Sequence, residues 1–164
     1  MVSSRRSFIR CAIGAGASAS AFVSASTGSG AQAQPGGVRG FDHVALPMQN
    51  VEAMLAFYRR LGFQVKEGAQ SCSVHFGTQM INFHRPSLWQ SATFTLRAPA
   101  AKPPCGDLCF VWDGTPDSLK AMLEKSGARV FTGPVSRQGG RQTTGSSVYV
   151  RDPDENLLEF IIYS

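Results

Sequence analysis

No acidic side chain occurs in the first 41 residues, and Asp42 is the first carboxylate of the chain. Arg5, Arg6 and Arg10 therefore stand uncompensated at the start. Taking the three arginines of residues 1–33 from the 16 basic residues leaves 13 against 11 acids, a net charge of +2. The pI near 9.3 is mostly a property of that segment, which removes the main argument for a nucleic-acid partner. Cysteine is scarce, at four, with no CxxC pair and no Cys/His spacing of a structural zinc site. No apolar run is long enough for a stable bilayer span, because residues 11–25 are short and diluted by Gly and Ser. Charged residues are only 16% while apolar ones are 43%, so the chain has the composition of a globular domain rather than a disordered one.

What the leader does contain is ordered. Ser4-Arg5-Arg6-Ser7-Phe8-Ile9-Arg10 resembles the twin-arginine export motif, a weakly apolar stretch follows, and Ala31-Gln32-Ala33 offers a small-x-small cleavage site. The expectation is a signal peptide over residues 1–33, a flexible lead-in over residues 34–39, and a periplasmic or secreted domain over residues 40–164. A basic tail or membrane anchor is the plainer alternative. Export would leave Cys72, Cys105 and Cys109 in an oxidising compartment. Three is odd, so at least one thiol stays free or pairs between chains. Cys72 and Cys109 read as small buried residues on strands.

The domain carries one plan twice. Residues 41–47 form a β-type run. Val51, Met54, Leu55, Tyr58 and Leu61 then recur at helical spacing, with Gly62 placed as a C′ residue, and three β-type runs follow at residues 63–66, 72–76 and 80–84. The second copy opens at residues 106–112 and continues with an amphipathic stretch at residues 116–125 that Gly127 ends. Its strand-like runs lie at residues 128–132, 146–151 and 157–163. From His43 to Gly62 is 19 residues, and from Asp107 to Gly127 is 20. Two βαβββ modules, residues 40–85 and 105–164, are thus predicted, joined by a Pro-rich connector in which residues 93–97 are a candidate short strand. A lone module leaves a sheet face bare, so the modules must pair within the chain or across a dimer.

Residues 151–160, Arg-Asp-Pro-Asp-Glu-Asn-Leu-Leu-Glu-Phe, form a turn and final strand. Pro153 fixes the turn, and Asp154 and Asn156 are suited to a tight backbone. Leu157, Glu159 and Ile161 fall on one face, where a carboxylate in an apolar strand is costly unless it binds something. This segment, with Phe41-Asp42-His43-Val44-Ala45-Leu46, resembles the vicinal oxygen chelate superfamily, that of glyoxalases, bleomycin-resistance proteins and dioxygenases. The resemblance covers residues 40–163. It implies an α+β fold, with two βαβββ modules forming an eight-stranded, cup-shaped mixed sheet with flanking helices.

The resemblance also implies a site. Glu159 stands at a metal-ligand position facing the cup, and His43 at the first ligand position. Taken alone, His43 also reads as a hydrogen-bonded core histidine. Asp107 lies where dioxygenases and fosfomycin-modifying members carry a second histidine, and Asn82 where glyoxalase I carries a glutamate. These departures put lactoylglutathione lyase activity in doubt. His43, Asp107 and Glu159 would form a set suited to Mn²⁺, Fe²⁺, Mg²⁺ or Zn²⁺. His84, on the same strand face as Asn82, reads as a fourth ligand, a pocket acid/base beside Glu159, or a rim residue. Residues 136–141, Ser-Arg-Gln-Gly-Gly-Arg, read as a mobile basic loop for an anionic ligand or as a solvated turn. Phe83, Phe110, Trp112 and Tyr149 read mostly as core.

Two functions follow from this site. One is a divalent-metal enzyme acting on a small substrate with vicinal oxygens, by lyase, isomerase or ring-cleaving dioxygenase chemistry. The other is a metal-free protein that binds and sequesters a small molecule. Both have a small molecule as partner, neither involves nucleic acid or a stable membrane anchor, and a homodimer is compatible with either.

Overall fold

A computed structural model describes residues 36–163; the expected signal segment, residues 1–33, lies outside them. The elements run β1 (His43–Pro47), α1 (Val51–Arg60), β2 (Gln64–Glu67), β3 (Ser71–Phe76), β4 (Gln79–His84), α2 (Pro86–Trp89), β5 (Asp107–Val111), α3 (Pro116–Ser126), β6 (Val130–Gln138), β7 (Thr144–Arg151) and β8 (Leu157–Tyr163). The two βαβββ modules are present. Hydrogen bonding divides the eight strands into two mixed sheets of four, ordered β1-β4-β3-β2 and β5-β8-β7-β6. In each, the first strand lies parallel to the last, β1 on β4 and β5 on β8, and the remaining neighbours are antiparallel.

Both long helices end as their sequences require. Gly62 and Gly127 adopt positive φ, 92° and 73°, a region open to glycine without strain. Thr115 caps α3 through its side chain, which accepts from Ser118 N, and Pro116 opens the first turn. The amphipathic faces then meet the sheets. Met54, Leu55 and Tyr58 of α1 and Leu119 and Leu123 of α3 are fully or almost fully buried. They share one core with the inward rows Val44, Leu46, Ile81 and Phe83 of the first sheet and Phe110, Leu158 and Phe160 of the second. Phe110 joins the modules, with ring centroids 5.2 Å from Phe63 and 5.2 Å from Phe76.

Three sequence expectations differ from the structure. Residues 93–97 form turns and bends rather than a strand, and the connector carries the short helix α2 instead. Residues 136–138 belong to β6, paired to β7 through Ser136–Ser146 and Arg137–Gly145, so only residues 139–143 turn. β6 could be longer than its apolar pattern suggested because it is an edge strand. There Pro134 removes no needed ladder bond, and the register shift between Thr132 and Val135 absorbs Gly133 and Pro134. The left-handed residue of the 152–156 turn is Glu155, φ 65°, not Asp154 or Asn156.

Asp154, with Asp152, ties the two modules together, and Asn156 braces the second module internally. The Asp154 carboxylate accepts from Gln49 N at 2.6 Å, Asn50 N at 2.8 Å and Asn50 Nδ2 at 2.9 Å, at the N-terminal end of α1. Asp152 accepts from Tyr58 Oη at 3.0 Å, and from Asp154 N, Asn156 N and Asn156 Nδ2 within its own turn. Asn156 Oδ1 accepts from Cys105 N and Gly106 N, fixing the entry to β5. Burial pushes the Asp152 carboxyl up, while hydrogen bonds from Asn156 and Tyr58 oppose that shift. Burial, with Asp152 beside it, also holds Tyr58 well above its ordinary value, so it stays a donor. Asp152→Ala would leave these buried donors unmatched and should cost about 2–4 kcal/mol in urea unfolding. A loss under about 0.5 kcal/mol, the scale of an ordinary surface change, would show that the turn does not hold the modules.

Candidate functional site

Strand alternation gives each sheet a second, more polar face. In the second module the ladder sets Asp107 opposite Leu157, Cys109 opposite Glu159, and Tyr149 on the other side of Glu159. Asp107, Tyr149 and Glu159 line one cavity of about 300 Å³ with Phe131, Thr132 and Arg137. Two carboxylates on adjacent strands, with Arg137 at their edge, give this surface an acidic centre. Ser147 Oγ donates to Glu159 Oε1 and orients that carboxylate. Arg137 Nε donates to Tyr149 Oη at 3.2 Å, which ties the basic part of β6 to the same face.

Cys109 was not expected here. Its residue is exposed rather than buried in the core, and its thiol lies beside Glu159. The signal was present, since Cys109 is two residues from Asp107 and must share its face. Burial of its sulfur pushes the thiol up to about 12, with the Glu159 charge, a hydrogen bond to Glu159 and the Asp107 charge adding to the shift. The thiol is therefore a proton donor toward Glu159 and not a thiolate. Cys72 is buried as expected, and all three cysteines of the described residues are free.

In the first module His43, Ala45, Asn82, His84 and Ser73 share the corresponding face. His43 is exposed, and its Nδ1 lies 2.6 Å from Asp42 Oδ1. The carboxylate can only accept, so Nδ1 is the donor of this pair and Nε2 is the ring nitrogen left for a ligand. The core-histidine alternative does not fit that exposure. His84 is 8% exposed. Its ring packs edge-on to Phe94 of the connector at 5.2 Å, and Nε2 lies 3.4 Å from Asn82 Nδ2. Burial lowers its pKa, so the ring is neutral near neutral pH.

The structure thus brings Asp107 and Glu159 together and keeps His43 and His84 on the other sheet. No described residue of the first module lines the cavity of Asp107 and Glu159. Among the described residues, no three His, Cys, Asp or Glu side chains cluster closely enough to hold a metal ion within one chain. His84 opens instead into a separate small cavity beneath the connector.

The model of the Glyoxalase/Bleomycin resistance protein/Dioxygenase superfamily matches residues 40–160. The chain belongs to that superfamily. Among its glyoxalase-superfamily relatives, the glyoxalase domain-containing protein RDO1 of Mycosarcoma maydis is 35% identical over 127 residues, 77% of this chain and 69% of that protein. The virulence protein STM3117 of Salmonella typhimurium is 32% identical over 126 residues, 74% of this chain and 83% of that one. An integron cassette protein from the mobile metagenome of V. cholerae superposes with a TM-score of 0.68 at 30% identity, over 78% of this chain and 98% of its own. Lactoylglutathione lyase from Agrobacterium tumefaciens shares the superfamily fold, with a TM-score of 0.56 and 24% identity, over 75% of this chain and 92% of its own.

The thiol chemistry gives a direct check of the site. At pH 8–9, alkylation should label Cys105 ahead of Cys109, because Cys109 forms thiolate only as pH approaches about 12. Glu159→Gln removes the charge and should speed Cys109 labelling on the order of tenfold for each pKa unit recovered, read by peptide mass spectrometry. Unchanged Cys109 labelling in that variant would place Glu159 away from the thiol.

Proposed function

We propose that this protein is an exported divalent-metal enzyme acting on a small substrate with two adjacent oxygens, its site completed between two copies of the chain. The observation that carries this reading is the pairing of Asp107 and Glu159 in one cavity, together with a His43 Nε2 left for a ligand on an exposed sheet face. A second copy laying its first-module face over that cavity would add His43 to the two carboxylates. Exposed apolar residues that such pairing could cover include Phe41, Val111 and Phe131.

The donor set suits a hard or borderline divalent ion, Mn²⁺, Fe²⁺, Mg²⁺ or Zn²⁺. Such an ion, when bound, supplies Lewis acidity toward the two substrate oxygens. The chain's own residues do the rest. Ser147 Oγ donates to Glu159 Oε1 and orients the carboxylate. The Cys109 thiol lies beside Glu159, and burial, with the Glu159 charge, raises its pKa. Tyr149 and Arg137 close one wall with a hydroxyl and a cation, fitted to an anionic substrate group. Lyase, isomerase and ring-cleaving reactions all begin by holding vicinal oxygens in this way. The missing glutamate at Asn82 argues against the lactoylglutathione lyase reaction itself.

Export rests on residues 4–10 and the cleavage site at residues 31–33. One experiment reads both parts. Wild-type protein recovered after export should carry close to one divalent ion per chain by elemental analysis, and Glu159→Ala should lose it while keeping its fold. Arg5→Lys with Arg6→Lys should hold unprocessed chain in the cytoplasm. Exported wild-type protein that takes up no metal would leave the metal-free sequestering function in its place.

A further inference from the structure

The two modules end their long helices alike and then fill the space beneath them differently. Gly62 N donates to Arg59 O and Phe63 N to Tyr58 O, just as Gly127 N donates to Glu124 O and Ala128 N to Leu123 O. These matching bonds make Leu123 the counterpart of Tyr58, and Ala128 that of Phe63. In the first module both places hold rings. Tyr58 packs against Phe57, Phe63 and Phe83 with centroids 5.5, 5.8 and 5.3 Å away. The second module puts a leucine and a single methyl group there, and the sheet beneath α3 is left partly uncovered.

The result is a groove of about 390 Å³. Leu119, Leu123 and Ala128 wall it on one side, and Val130, Val148 and Ile162 of the second sheet on the other. Val148 pairs with Phe160, and Ser146 with Ile162, in the row that alternates with Tyr149 and Glu159. The groove therefore lies on the helix side of the sheet, away from Asp107 and Glu159. A dry void of about 150 Å³ already admits benzene, so this one has room for a ring with a short chain. Its rim is charged. Lys120 Nζ lies 3.9 Å from Glu124 Oε1, so those two compensate each other. Asp117 also lines the groove, and no described cation lies within salt-bridge reach of it.

We propose that this groove binds a small hydrophobic amine, its apolar body against Leu123, Ala128, Val148 and Ile162 and its ammonium beside Asp117. Removal of apolar surface from water supplies most of the affinity. The exposed carboxylate adds a preference for a cation of about two- to fivefold, the scale of a surface ion pair. An acid of the same shape would meet Asp117 with like charge. The groove uses none of His43, Asp107 or Glu159. It therefore stands or falls apart from the metal reading.

The test uses the full chain and three probes that share one apolar body: phenylbutylamine, phenylbutanol and phenylbutyrate. Each is titrated at constant ionic strength while the methyl resonances of Leu123, Val148 and Ile162 are followed by NMR. The amine should move them saturably and bind about two- to fivefold more tightly than the alcohol, with the acid weakest. D117N, a change on the exposed face of α3, should bring the amine down to the affinity of the alcohol. A128F puts the first module's own residue into the groove and should abolish binding of all three. No saturable shift, an alcohol or acid that binds as tightly as the amine, an amine preference kept by D117N, or wild-type binding by A128F would overturn the assignment. Methyl shifts that follow protein concentration without any amine would overturn it too, and give the groove to a second copy of the chain.

Discussion

Everything the second module offers depends on a charged turn buried against the first. Asp152, Asp154 and Asn156 place two carboxylates and an amide where the chain has no water to satisfy them, and each is matched by donors from α1, from the turn itself or from the approach to β5. A buried carboxylate lacking such partners would be among the costliest features a small domain could carry. With them, the turn sets the start of β8 relative to α1 and the start of β5 relative to β8. Asp107 is the first side chain beyond Gly106, and Leu157 and Glu159 are the first two on the outward face beyond Asn156.

That arrangement explains why half of the candidate site is well built. Glu159 is oriented by Ser147, and it raises the Cys109 thiol that faces it across the ladder. The other half lies on a different sheet. His43 is positioned by Asp42 alone, on an exposed face. Both sheets turn their apolar rows to a common core, so their polar rows lie on the outer sides of that packing. A second copy can bring such rows together where one chain does not.

The fold was legible where local chemistry decides it. Helical spacing in residues 51–61, glycine at residues 62 and 127, and alternation in residues 157–163 each correspond to an element observed. The length of β6 was not, because an edge strand tolerates Gly133 and Pro134 that a central strand would reject. The roles of Asp154 and Asn156 were read as turn-forming, whereas their partners lie about 50 and 104 residues away in sequence. No local pattern reports such contacts. At the site, the family resemblance set Asp107 and Glu159 at ligand positions, and alternation along β5 should have placed Cys109 on the face of Asp107. The cover over His84 comes from Phe94 and Arg97, in a connector without periodicity, so only the folded chain reveals it.

The central claim is that ligands from two copies make one metal site. Complementation between two inactive chains tests it most directly. His43→Ala and Glu159→Ala protein should each fail to retain metal alone. Mixed in equal amounts and allowed to exchange subunits, they should regain metal in about a quarter of the sites, since each mixed dimer carries one intact set and one empty of both ligands. Recovery at that level is the result this account expects. Mixtures that stay as metal-free as either parent, or a His43→Ala chain that retains metal unaided, would contradict it.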